Sequence, residues 1–294
     1  MLRWVFLIIL TLSSFFGFSQ LKKFYSIKES NEFDTIRFSL NATFGNCLIA
    51  PAKEGPISIY GNPDLEKINP SFKVNVEDRT CDVALDLQKF KSTSVGDGFV
   101  LSMIGEAGGN NDFWKIYFND QKVYKLDLHY GFGNADIDLS GTAVKNFKIK
   151  SGSADVLIDY SGDKANLINM DTFMVKVDMG SIYAKNLDLA KADIVIANVG
   201  FGNAVLDLSK SSNKKCSVEA TVGAGNLEII IPKDDIPMII YLKDSPFCGM
   251  KLAKGFELVE RNVYVNKHYM AGAENLLSFD IDVALGNVSF HFQD

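Results

Sequence analysis

Gly131-Phe132-Gly133-Asn134-Ala135-Asp136-Ile137-Asp138-Leu139-Ser140 recurs as Gly200-Phe201-Gly202-Asn203-Ala204-Val205-Leu206-Asp207-Leu208-Ser209, with eight of the ten positions identical. The offset is 69 residues, three units of 23, and the step from Gly202-Asn203 to Gly225-Asn226 is again 23. A repeat of this length marks one supersecondary unit per coil of a stack. In the first copy Ala135, Ile137 and Leu139 fall on one side and Asp136 and Asp138 on the other, the period of two that a half-buried strand shows. Glycine at the turn tolerates positive φ, and the asparagine beside it can bond its own backbone or join a ladder with the next coil. The matched registers predict that Ala135, Ile137, Leu139, Ala204, Leu206 and Leu208 line one continuous core.

Looser copies extend the series. Phe44-Gly45-Asn46 opens it, Gly152-Ser153-Ala154 and Gly180-Ser181-Ile182 fall between the two best copies, and Leu285-Gly286-Asn287 closes it. The fold class expected is therefore all-β, a parallel β-solenoid of stacked single-strand coils of about 20–23 residues. Residues 20–125 carry strand patterns such as Thr80 to Leu87 and Phe113 to Phe118, broken by Gly55-Pro56, Asn62-Pro63 and the glycine loop Gly105 to Asn111. They are expected to form an irregular, β-rich N-terminal part of the same solenoid, ahead of the regular stack at 126–294.

Residues 1–19 have the pattern of a signal peptide: Arg3 precedes the apolar run Trp4 to Leu12, and Gly17-Phe18-Ser19 offers small residues for cleavage before Gln20. The apolar run is shorter than the roughly 20 residues of a spanning helix, so the mature chain is expected not to be an integral membrane protein. Its place is periplasmic, at the cell surface, or secreted. Loss of Arg3 leaves 29 basic residues against 36 acidic ones, a balance that argues against nucleic acid as a partner. Of the four cysteines, Cys81 and Cys216 alternate with apolar neighbours and Cys47 occupies a similar inward slot, whereas Cys248 sits in a loop. Buried thiols acting as small hydrophobes are the reading those patterns favour, with one or two disulfides as the alternative.

Near the C-terminus, Ile231-Pro232-Lys233-Asp234-Asp235-Ile236-Pro237 leads through Gly255-Phe256 and Asn262-Val263-Tyr264 to His268-Tyr269, and the strand Leu277 to Val283 precedes Leu285-Gly286-Asn287-Val288-Ser289-Phe290. This order resembles the toastrack, or LiaF-like, domain of bacterial envelope proteins, over about residues 125–294. In that family a proline hinge leaves the glycine-strand stack, an excursion follows, and a last strand closes the domain. The resemblance implies a stacked β-solenoid with envelope-stress or adhesin-like roles, and it supplies no catalytic residues.

Chemistry-bearing constellations are sparse. His129, His268 and His291 lie far apart without metal-ligand spacing, and neither a nucleophile elbow nor a phosphate loop is present. No cofactor is implied. The acids Asp136, Asp138, Asp155, Asp159 and Asp207 are expected to point outward, but their register does not match a calcium β-roll, so a solvated acidic face is the expectation. Phe113, Trp114 and Tyr117 form the best candidate binding surface, through stacking of exposed rings on sugars, with burial of one ring face as the commoner outcome for such a strand. The leading expectation is a non-catalytic binding, scaffold or adhesin-like module of the envelope, with polysaccharide or another envelope protein as partner. The alternative is a β-helix enzyme acting on acidic polysaccharide. A third class, an outer-membrane barrel, would need an apolar outer face where this chain has aspartates.

Overall fold

The computed structural model of the protein describes residues 22–62, 69–88, 113–210, 214–233, 235–244 and 248–292. The expected signal peptide at 1–19 and the glycine loop at 105–111 lie outside the described residues. Strands β1 (Lys23–Ile27), β2 (Thr35–Pro51), β3 (Ile57–Asn62), β4 (Ser71–Glu77), β5 (Thr80–Leu87) and β6 (Phe113–Phe118) come first. The long strands β7 (Val123–Asp138) and β8 (Ala143–Asp159) follow, then β9 (Met170–Val177), β10 (Ser181–Ala184), β11 (Ala192–Val199), β12 (Asn203–Asp207), β13 (Cys216–Val222) and β14 (Asn226–Ile231). Last come β15 (Met238–Asp244), β16 (Gly249–Lys251), β17 (Phe256–Glu260), β18 (Val263–Asn266), β19 (Leu277–Val283) and β20 (Asn287–Phe292).

Pairing arranges these strands in two faces. The back face runs β4-β5-β2-β7-β8-β9-β11-β13-β19-β15-β18-β17, and the front face runs β1-β3-β6-β2-β7-β8-β10-β12-β14-β20-β16. The first halves of β2, β7 and β8 belong to the back and their second halves to the front, so each coil supplies two strands rather than the single strand expected. The parallel solenoid holds. Its coils are unequal, however: Asn134 pairs with Asp155, Asp155 with Ser181 and Ser181 with Asn203, which divides the 69-residue offset into 21, 26 and 22. Corner segments absorb the differences, because only the strands must stay in register.

The core lies between the two faces. Ala135, Ile137, Leu139, Ala204, Leu206 and Leu208 are all buried in it, as their parity predicted. Rings cross it from one face to the other, Phe38 against Phe118 at 5.4 Å and Phe279 against Phe290 at 5.0 Å. Four cysteines are free, with Cys47, Cys81 and Cys216 buried and Cys248 half-buried, and burial pushes the Cys47 and Cys216 thiols up to about 12. Thiols held that far from ionising are inert packing groups.

The turn glycines are explained mostly by stacking, not by φ. A Cβ on Gly202 would lie closer than 3.0 Å to the carbonyl oxygen of Gly180, one on Gly225 to that of Gly202, and one on Gly286 to that of Gly225. Among the repeat glycines positive φ is confined to Gly45 and Gly133, at +113° and +111°. Successive coils bring their corners so close that no side chain fits between them.

Both ends depart from chain order. At one end β2 lies inside the later β5 and β6, and at the other β19 and β20 insert between β13–β14 and β15–β16. The last strands of the chain are thus an interior coil rather than a closing edge. Antiparallel strands cover the two ends, β4 on β5 and β3 on β6 at one, β18 on β15 and β17 on β18 at the other. Such atypical terminal units are what a stack needs to stop its growth.

Candidate functional site

A groove crosses the outer side of the front face. Strict parallel register sets the residues two places after each corner position in one row, running from Leu48 through Asp136, Leu157 and Tyr183 to Val205. Leu157 and Tyr183 are each 38% exposed, unusual for large apolar side chains in mid-sheet. They lie in a hollow of about 520 Å³, and an adjoining hollow of about 240 Å³ continues it toward Phe113, the two sharing Asn134 and Asp136. Antiparallel β3 carries the row further, since Tyr60 pairs with Lys115 and Lys115 with Leu48.

A second column borders the row. Asn46, Asn134, Asp155, Ser181, Asn203, Asn226 and Asn287 are in register across seven strands. The Asn134 side-chain amide donates to Asn46 Oδ1 at 3.1 Å, that of Asn226 to Asn203 at 2.8 Å, and that of Asn287 to Asn226 at 2.8 Å. Asp155 and Ser181 interrupt this asparagine ladder beside Leu157 and Tyr183. Neither Asp155 nor Asp136 has an ion-pair or hydrogen-bond partner for its carboxylate among the described residues. Farther along the strands, at the next corner, the acids are engaged. Asp138 accepts from Ser161 Oγ at 2.6 Å and from Ser140 N–H and Oγ–H, and although burial opposes it, these bonds hold the Asp138 carboxyl below its usual range.

The expected surface of Phe113, Trp114 and Tyr117 is only partly assembled. Phe113 and Tyr117 reach the outer side of the front face, where Phe113 pairs with Asn46 at the head of the ladder and Tyr117 meets Tyr60 at 6.0 Å. Trp114 is 2% exposed and points into the core, because it alternates with its two neighbours along β6 and packs over Gly61. It cannot serve as a contact residue. Asp136 and Asp155 are exposed and Asp138 and Asp159 half-buried, but Asp207 is 2% exposed, contrary to the outward expectation. There the strand ends, alternation breaks with Leu206, Asp207 and Leu208 all buried, and Asp207 turns back to accept the Ser209 N–H at 3.0 Å. Leu157 and Tyr183 escaped the sequence reading, which followed the acids of the better copies. Leu157 stands five residues after Gly152, as Asp136 does after Gly131, and Tyr183 three after Gly180, as Val205 does after Gly202, and that spacing was the available signal.

Elsewhere the chemistry is structural. Each histidine sits beside one carboxylate, His129 near Asp127, His268 near Asp235 and His291 near Glu228, and among the described residues no group of three or more His, Cys, Asp or Glu could hold a metal. In the turn between β10 and β11, Asp188 lines a cavity of about 30 Å³, room for a water rather than a ligand. Burial there pushes its carboxyl up to about 7, with one oxygen accepting the Lys210 N–H and the other unpartnered.

Residues 19–181 match the family described as the N-terminal domain of toast_rack, DUF2154. The chain belongs to the toast_rack family. The matched stretch takes in the N-terminal strands, upstream of the segment whose motifs carry the resemblance in the sequence. Among solved structures, the toast_rack chain is similar to a candidate cell adhesion protein from Clostridium sporogenes, at 16% identity and a TM-score of 0.42, over 93% of this chain and 99% of that one. It is also similar to a candidate adhesin from Bacteroides fragilis, at 15% identity and a TM-score of 0.35, over 92% and 96%. No curated protein matches. Among the described residues, no helix of this toast_rack protein is long and apolar enough to cross a membrane.

Proposed function

We propose that the protein is an exported, non-catalytic and adhesin-like module of the cell envelope, which binds polysaccharide or another envelope protein through the front face. The observation that carries this reading is the groove over Leu157 and Tyr183, where the outer side of the front face leaves two large apolar side chains exposed beside two carboxylates without partners. A solenoid suits the task because its core-filled stack holds an extended row of side chains rigidly. Export rests on the pattern of residues 1–19. The acids Asp136 and Asp155 outnumber Lys115, the one cation lining these hollows among the described residues, and count against the alternative of an enzyme on acidic polysaccharide, which would need an excess of cations there.

The test is fractionation of a bacterial host expressing the full chain, with the mature N-terminus read by mass spectrometry. The expected result is a chain beginning at Gln20 that co-sediments with the envelope, and release of that chain by the double variant Leu157→Lys, Tyr183→Lys. An uncleaved cytoplasmic chain would refute export, and undiminished retention of a folded double variant would refute the front face as the binding surface.

A further inference from the structure

Resting on the front-face reading above, we propose that the groove takes a neutral, extended pyranose polymer lying along the solenoid axis. The groove is built with one period. Each of the strands β2, β7, β8, β10 and β12 adds one side chain to the row and one polar side chain to the column, β6 extends them with Lys115 and Phe113, and neighbouring strands stand about 4.8 Å apart, so the six strands span about 24 Å. Every rung of the groove's centre thus offers an apolar or aromatic patch, Leu157 then Tyr183, beside a polar group, Asp155 then Ser181. An extended chain of pyranose rings presents the complementary pair once per unit, an apolar ring face and an edge of hydroxyls, at a repeat close to one strand spacing.

A polypeptide does not fit this period. An extended peptide returns a side chain to the same side about every 6.6 Å, out of step with the rungs. It would also find no strand edge to pair with, since peptide addition needs an open edge and the groove lies mid-sheet. Charge narrows the choice further. Asp136 and Asp155 outnumber the row's single cation, Lys115, and so repel a polyanion, whereas both can accept hydrogen bonds from hydroxyl groups. The break in the asparagine ladder falls at Asp155 and Ser181, where polar side chains are left for a ligand instead of for each other. At the far end Tyr60, 44% exposed and in the same row, offers a second ring for stacking.

The experiment is isothermal titration of the exported full-length product with hexasaccharides of neutral β-linked glucan, xylan and mannan, with polygalacturonate and polylysine as charged probes. At least one neutral hexasaccharide is expected to bind, with a tenfold or greater loss of affinity in Tyr183→Ala and in Asp155→Ala and no change in Lys148→Ala on the back face. All three residues are partly exposed, so unchanged melting temperatures will show that the variants fold. Binding of none of the neutral hexasaccharides, binding confined to either charged probe, or neutral binding indifferent to Tyr183→Ala and Asp155→Ala would each overturn the assignment. Envelope retention that depends on Leu157 and Tyr183 while no neutral glycan binds would remove the ligand class and leave the front face as a binding surface. Retention indifferent to those residues would remove the face itself.

Discussion

The back and front faces share one core and one set of corners, yet their outer sides are finished differently. On the back, charges are paired across the strands: Lys148 with Asp127 at 2.8 Å, Lys145 with Asp171 at 2.6 Å, Lys214 with Asp193 at 2.5 Å and Lys243 with Asp280 at 3.4 Å. On the front, Asp136 and Asp155 stand unpaired beside exposed Leu157 and Tyr183. The core demands only inward parity and close corners, which both faces satisfy, so the outward residues are free to differ between the two sides. Mixed charge keeps a surface from associating, and an apolar row within a hollow invites association.

The largest expected effect removes the comparison altogether. Leu206→Asp puts a carboxylate at a fully buried position on the front strands, at a cost of several kcal/mol against a total stability of about 5–15, and loss of the cooperative thermal transition would show that both faces collapse together. Trp114→Ala should come next, destabilising by about 3–5 kcal/mol in urea titration, because its ring is core and not surface. A stable variant that has lost only ligand binding would reverse that placement.

Smaller effects separate corner from face. Gly202→Ala forces a methyl onto the Gly180 carbonyl and should cost about 1–3 kcal/mol, while Gly223→Ala, where the new Cβ would stand 3.0 Å from the Gly200 oxygen, should cost less; the two urea midpoints decide. Asp188 makes stability depend on pH. Its folded carboxyl titrates near 7 against 3.8 for the unfolded chain, so the folded state binds the proton more tightly. Stability from this group is therefore greatest below about pH 4, falls as pH rises toward 7, and stays low above it, by at most about 4 kcal/mol. Asp188→Asn should flatten that fall relative to the parent chain in melts from pH 4 to 8. The smallest effect belongs to the back face: Lys148→Ala breaks a partly exposed pair and should shift stability by less than about 1 kcal/mol. A large loss there would mean that the back is not the inert side.

Much of this was legible in the residues. Strand parity in Gly131 to Ser140 and Gly200 to Ser209 identified the inward side chains, and the recurring Gly-Asn pairs marked the corners that stack. Those are local properties: side chains alternate along any strand, and a corner that admits no Cβ selects glycine wherever it recurs. Three features were settled only by the tertiary structure. β19 and β20 lie inside the stack, because a strand finds its neighbour by register and core area and not by order in the chain. Asp207 is buried, because alternation ends where the chain turns. The row from Leu48 to Val205 exists because residues 21 to 88 positions apart in sequence meet on adjacent coils. By itself the sequence determined which way side chains point within the regular strands; which side chains stand beside them, and hence the groove, was decided by stacking of the coils, since coil lengths vary and only the folded register brings those residues into line.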